Sequence, residues 1–228
     1  MAVPSNVIDK TVAMVKLNLG RPVDTTLDDY IIEWMNWSSR KVQNVLNFWF
    51  MNTSDTISYT SGDGIEALPS DFKDEDAIWR YDSTNGTYER LDIMDIEDQR
   101  MEYSDTETGQ PTHYRIDSDN NLIVRPVPDD SYTIRVDYWA YLSDMVASGT
   151  ASKLLTNYPE VVESGSTYRG YRYLGEWEDA KYWEDAFKKD IADLKAANID
   201  RELPDEMVLR PRPDVKGTGI TKIKGRLG

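Results

Sequence analysis

Residues 109–142, GQPTHYRIDSDNNLIVRPVPDDSYTIRVDYWAYL, limit what this chain can fold into more than any other stretch. From Tyr132 onward the side chains alternate. Tyr132, Ile134, Val136 and Tyr138 fall on one face, with Thr133, Arg135 and Asp137 on the other. A period of two belongs to a strand with one buried face. Residues 112–116 and 122–125 read as two shorter strands, joined by the turn formers Asp117, Ser118, Asp119, Asn120 and Asn121. Pro126 and Pro128 interrupt the ladder because proline has no amide hydrogen to donate. The three strands are expected to form a meander, which is a scaffold and brings no catalytic apparatus.

The flanks have a different period. Val7, Ile8, Val12, Val15 and Leu19 recur at helical spacing, with Ser5 or Asn6 as cap and Gly20 as stop. After Arg21-Pro22, the sequence Thr26-Leu27-Asp28-Asp29 resembles a capping box. It predicts a second helix with the stripe Leu27, Tyr30, Ile31, Trp34, Val42, Val45 and Trp49, reaching Phe50 or Met51. Between 55 and 91 the period is two, with strands at 56–60, 65–68 and 77–81 and a hairpin turn at Asn85-Gly86 into 87–91. Residues 92–103 read as a short helix. Beyond a small-residue loop at 143–150, Pro159 opens a helix that ends at Leu174 before Gly175. A last helix spans 176–197, with Trp177, Ala180, Phe187, Ile191 and Leu194 on its apolar face. From Asp200 on, Pro204, Pro211 and Pro213 argue for an extended tail without a core of its own.

The expected class is therefore α+β. A bundle of two N-terminal helices (1–54) and two C-terminal helices (143–198) carries a β-rich insertion (55–142) and ends in an extended arm (199–228).

Composition excludes several functions. With no cysteine, disulfides, thiolate metal sites and thiol catalysis are ruled out. No apolar run approaches the roughly 20 residues of a membrane helix, and the first residues lack a secretory signal pattern. The expectation is a soluble protein made in a reducing compartment, with no membrane partner. A net charge of −15 argues against a general nucleic-acid-binding surface. The charge is unevenly placed. Residues 209–228 carry Arg210, Arg212, Lys216, Lys222, Lys224 and Arg226 against one acid, Asp214, so the tail is +5 and the remainder −20. Tyr and Trp, 14 and 7 against 4 Phe, favour half-wet surfaces such as subunit contacts.

Single-residue candidates for chemistry give way to simpler readings. His113, the only histidine, stands in a predicted strand between Thr112 and Tyr114. The run 117–121 has oxygens where a calcium loop begins, but Leu122 takes the place of the glycine and Pro128 that of the bidentate Glu, so a hairpin turn explains it better. Acidic pairs such as Asp28-Asp29 and Asp129-Asp130 are common among 41 acidic residues and identify no glycosidase. No glycine-rich phosphate loop and no Gly-x-Ser-x-Gly occurs. The sequence calls for no cofactor, no metal and no catalytic residue. Trp177 and Trp183 lie six apart, well separated around a helix, so one of them is a candidate subunit contact.

The order of several segments resembles the head–tail adaptor proteins of short-tailed bacteriophages, the connector ring beneath the portal. The likeness is carried by Phe48-Trp49-Phe50 after the helix pair, by TISYTSGDGIEALPSDF at 56–72, and by Gly-x-Pro-x-x-Tyr at 109–114. It continues in LIVRPVPD at 122–129, YTIRVDYW at 132–139, Leu154-Leu155 with Tyr158-Pro159-Glu160, and the Trp-rich final helix. Together they cover most of residues 1–197. The resemblance implies a structural virion protein that is no enzyme and forms a homo-oligomeric, dodecameric ring. The portal protein would lie on one side and a distal tail or nozzle protein on the other, with transient contact to genomic DNA in the channel. It also implies that the basic arm holds the portal. Two other classes stay open. One is a carbohydrate- or protein-binding module using the aromatic-rich insertion; the other is a hydrolase using paired carboxylates.

Overall fold

The computed structural model describes residues 6–104, 107–147 and 149–202. Helix α1 (Val7–Asn18) is capped by Asn6, whose Oδ1 accepts from the Asp9 amide at 2.8 Å. Gly20 follows at φ 67°, a conformation that costs glycine nothing. Helix α2 (Asp28–Gln43) is shorter than its stripe suggests. Leu27, not Thr26, is the capping position, and it makes no side-chain cap; the Asp24 carboxylate bonds Thr26 instead. At the other end the helix stops at Gln43, not at Phe50 or Met51. The buried Gln43 side chain bonds Ser39 and accepts from the Leu142 amide, which fixes the helix end against the strand region. Beyond it the chain turns, burying Leu46 and Phe48 but leaving Val45 and Trp49 outside, and passes through a 3-10 turn at Trp49–Met51.

The strands form two four-stranded sheets. They are β1 (Asn52–Tyr59), β2 (Ile65–Ala67), β3 (Phe72–Asp82), β4 (Thr87–Arg90) and β5 (Asp92–Ile93), then a short helix α3 (Ile96–Glu102). There follow β6 (Thr108–Gly109), β7 (His113–Ile116), β8 (Asn121–Arg125), β9 (Val127–Pro128) and β10 (Tyr132–Ala140). One sheet has the order β1-β10-β3-β4, the other β2-β8-β7-β5, and β6 pairs with β9. The expected meander is thus split. Strands β7 and β8 form the hairpin, its turn held by the Asp117 carboxylate accepting from the Asp119 and Asn121 amides. Strand β10 instead crosses to the other sheet and lies between β1 and β3. Pro126 and Pro128 withhold the donors that a hairpin back onto β8 would need.

The two sheets share a core of Tyr59, Ile78, Tyr114, Leu122, Val124, Ile134, Val136 and Tyr138. Two of its phenols are anchored: the Tyr59 hydroxyl donates to the Leu122 carbonyl at 2.7 Å and that of Tyr138 to Asp71 at 3.0 Å. Burial, helped by Asp71, pushes Tyr138 up to about 12, and burial raises Tyr59 as well. The unfolded chain releases these protons first, near the ordinary value of 10. Above that pH the folded state binds more protons, so stability falls as pH rises, by up to about 1.4 kcal/mol per pH unit per group. Denaturant titrations from pH 9 to 12 should show the decline, and Tyr138→Phe should make it shallower.

The C-terminal helices are α4 (Lys153–Asn157), α5 (Pro159–Leu174) and α6 (Trp177–Glu202). Helix α4, absent from the sequence reading, is capped by Ser152 and buries Leu154 and Leu155. Pro159 starts α5, and Gly175 closes it at φ 78° with open space around its α-carbon. Gly175→Ala should therefore cost about 1 kcal/mol through backbone strain alone, readable as a small drop in denaturation midpoint with unchanged slope. Helix α5 packs against α1, α2 and α6. Their core holds Ile8, Val15, Ile31, Met35, Val42, Leu154, Leu155 and Val162.

Candidate functional site

A short loop, 44–48, joins the helical and sheet cores. Lys73 of β3 donates to the Leu46 carbonyl at 3.0 Å and to the Asn47 side chain. Tyr141, just past β10, bonds Asn44 at 3.1 Å, and Asn198 of α6 donates to the Asn47 carbonyl at 2.9 Å. Burial lowers the Lys73 ammonium below its ordinary value. That is the cost of taking a charge out of water to hold two oxygens in place.

Exposed aromatic side chains gather on the helices. Tyr173 stacks on Tyr30 at 5.3 Å and lies against Trp34 at 5.6 Å. The Arg172 guanidinium sits over both Tyr168 and Trp177, and Arg169 lies 4.8 Å from the Trp37 ring centre. Trp177 is 65 % exposed. It does not belong to the buried stripe with Ala180 and Phe187, because it stands in the first turn of α6, at the corner after Gly175 where the bundle has no further wall. Trp183 is half-buried and meets Tyr182 edge-on at 5.7 Å. In the sheets, Tyr81 and Tyr88 make one exposed pair at 5.2 Å. Arginine stacked on Trp and Tyr is the composition that buried protein contacts favour.

The groups considered for chemistry are held structurally. The His113 Nδ1 shares bonds with the Tyr103 and Thr112 hydroxyls, both at 2.9 Å. Asp117 lies in a surface depression with Glu75, Asp95 and Arg115. Bonds from Asn121 hold its carboxyl below the ordinary range, opposite to what a general acid needs. Among the described residues no group of three or more His, Asp or Glu is placed to hold a metal, and no helix is long and apolar enough to cross a membrane. Buried Arg80 is spent on the Pro111 carbonyl at 2.6 Å and on Glu89. The basic candidates Arg210, Arg212, Lys216, Lys222, Lys224 and Arg226 lie outside the described residues.

Residues 10–212 match the SU10 adaptor protein family. The chain belongs to that family. A search of the curated proteins finds no match. The protein is thus a phage adaptor, a structural component of the virion, and the α+β architecture above is its scaffold. The match takes in nearly all of both cores, runs through α6 and ends at Arg212. The sequence reading missed the clasp at 44–48. Its only trace there was the polar run around Asn44 and Asn47, interrupting an apolar stripe that spacing alone would have continued.

Proposed function

We propose that this adaptor forms a closed ring at the head–tail junction of a short-tailed phage, twelve copies around, with portal on one side and a distal tail or nozzle protein on the other. Family membership supports an adaptor role. The observation that carries the ring is the exposed helical face of Tyr30, Arg172, Tyr173 and Trp177, a ready contact for a neighbouring copy. Cyclic closure needs two different patches per subunit. On this reading the bundle supplies the wall, with Trp177 or Trp183 at the seam, and the β-rich insertion faces the distal component. The arm reaches onto portal, with Arg210, Arg212, Lys216, Lys222, Lys224 and Arg226 against acidic groups. On the same reading, the ring is assembled in the host cytoplasm. A net charge of −15 suits a channel past which DNA slides without sticking.

The test is particle mass with and without portal. A ring-sized species in the presence of portal supports the proposal; a monomer under both conditions overturns it. Deletion of 209–228 should weaken portal binding at least tenfold, with the loss greatest at low salt because charge carries it. Unchanged binding would remove the arm from the contact.

A further inference from the structure

Helices α5 and α6 form a hairpin whose two ends carry opposite charge. At the end away from Gly175, Tyr158, Val161 and Leu194 give a surface depression of about 230 Å³ its apolar lining, and Glu160, Asp190 and Asp193 give it its charge. That is smaller than the roughly 300–1,000 Å³ of a small-molecule site, and suits single side chains. The lining holds three carboxylates and no cation, and among the described residues none of the three is in an ion pair. The buried Ser164 hydroxyl donates to Asp190 at 2.6 Å and fixes its carboxylate, while Glu160 and Asp193 stand exposed. At the end near Gly175, Arg169 lies over Trp37 and Arg172 over Tyr168 and Trp177. Among the described residues neither guanidinium is in an ion pair, although Glu178 and Asp179 occupy the first turn of α6. Val161 and Arg172 are about 17 Å apart along α5. The two ends are therefore too distant to meet within one copy.

We infer that the acidic depression receives the corner of Arg169, Arg172 and Trp177 of a second copy of this chain. The inference rests on the ring reading above, which needs two different patches on each subunit and has so far only one. Charge complementarity selects the occupant. Each end of the hairpin leaves charges unpaired that the other end neutralises, and a planar guanidinium meets a carboxylate through two parallel bonds. The apolar lining matches too: Trp177 is 65 % exposed beside Arg172 and brings an apolar ring to Tyr158, Val161 and Leu194. Arginine and tryptophan seated in a small pocket are the anchors on which protein contacts concentrate their energy. A contact that joins opposite ends leaves each copy one end free to pass on, which is the head-to-tail relation a closed ring requires. Like ends repel, so the same charges reject the wrong pairing.

The test uses the full chain with portal and reads ring assembly from particle mass. Glu160→Arg/Asp193→Arg makes the depression basic, and Arg169→Glu/Arg172→Glu makes the corner acidic. Each set alone opposes like charges and should raise the concentration needed for assembly at least about tenfold. An equal mixture of the two should assemble like the parent, because in an alternating, even-numbered ring every contact again joins opposite charges. Reversed sets that assemble like the parent overturn the inference and leave the depression to portal or another partner. A mixture of the two sets, each with the parent's unfolding midpoint, that does no better than its parts overturns it as well. Milder changes give a second reading where a reversal fails to fold. Asp193→Asn and Arg172→Gln should each weaken assembly, and together no more than either alone, since both remove one shared contact. Additive losses would overturn the pairing. A parent that stays monomeric with portal sinks the ring reading and the pairing with it; a parent ring indifferent to these variants sinks the pairing alone.

Discussion

Replacing Phe48 by alanine is expected to lower the free energy of unfolding by about 3–5 kcal/mol. The ring is 1 % exposed and lies parallel to Phe50, 5.1 Å away, with Tyr158 against it at 5.4 Å. It occupies the point where the chain has left α2 and not yet entered β1, so its removal opens a cavity that no regular element can close by sliding. Collapse is further opposed by the bonds that hold the neighbouring Leu46 and Asn47 carbonyls. Chemical denaturation of the isolated adaptor would measure the effect. A loss below about 1 kcal/mol would mean that the site repacks freely and that the 44–48 loop is not the rigid joint described above.

Gly165→Val should be nearly as damaging, at about 3 kcal/mol, for the opposite reason. A β-carbon at Gly165 would stand 2.5 Å from the Ser38 hydroxyl and 2.8 Å from the Phe187 ring. Helix α5 is therefore confined from both sides, by α2 through Ser38 and by α6 through Phe187. Ser38 cannot swing away without giving up its bond to the Trp34 carbonyl at 2.9 Å. Valine gains a few tenths of a kcal/mol in helix propensity over glycine, far too little to offset the clash. The thermal midpoint should fall by many degrees while Gly175→Ala, which meets nothing, moves it only slightly. A neutral Gly165→Val would show that α6 can shift outward on α5 at little cost.

Features set by neighbouring residues were readable from the sequence. The Asn6 cap, Pro159 and Gly175 at the two ends of α5, the turn at Asn85-Gly86 and the alternation of β10 all depend on local geometry, and each stands where the spacing puts it. The misses have a common physical origin in distant contacts. The stripe of α2 continues in sequence to Trp49, yet Gln43 ends the helix because its amide is claimed by Leu142, 99 residues away. The alternation of β10 shows a half-buried strand but says nothing of which sheet receives it; the partners β1 and β3 decide that. Trp177 has the spacing of a core residue and lies outside because the bundle ends there. Of the candidate surfaces, the aromatic excess of the composition pointed toward wet contacts, but grouping Arg172 with Trp177 required the turn between α5 and α6.

The clasp at 44–48 has a mechanical corollary. One strand, one helix and the segment just past β10 all grip the same five residues from far-apart stretches of the polypeptide. A load placed on the β-rich part is thereby delivered straight into the helices, as through a welded bracket, with no slack tether to absorb it. Twisting the sheets against the bundle would mean breaking those bonds together.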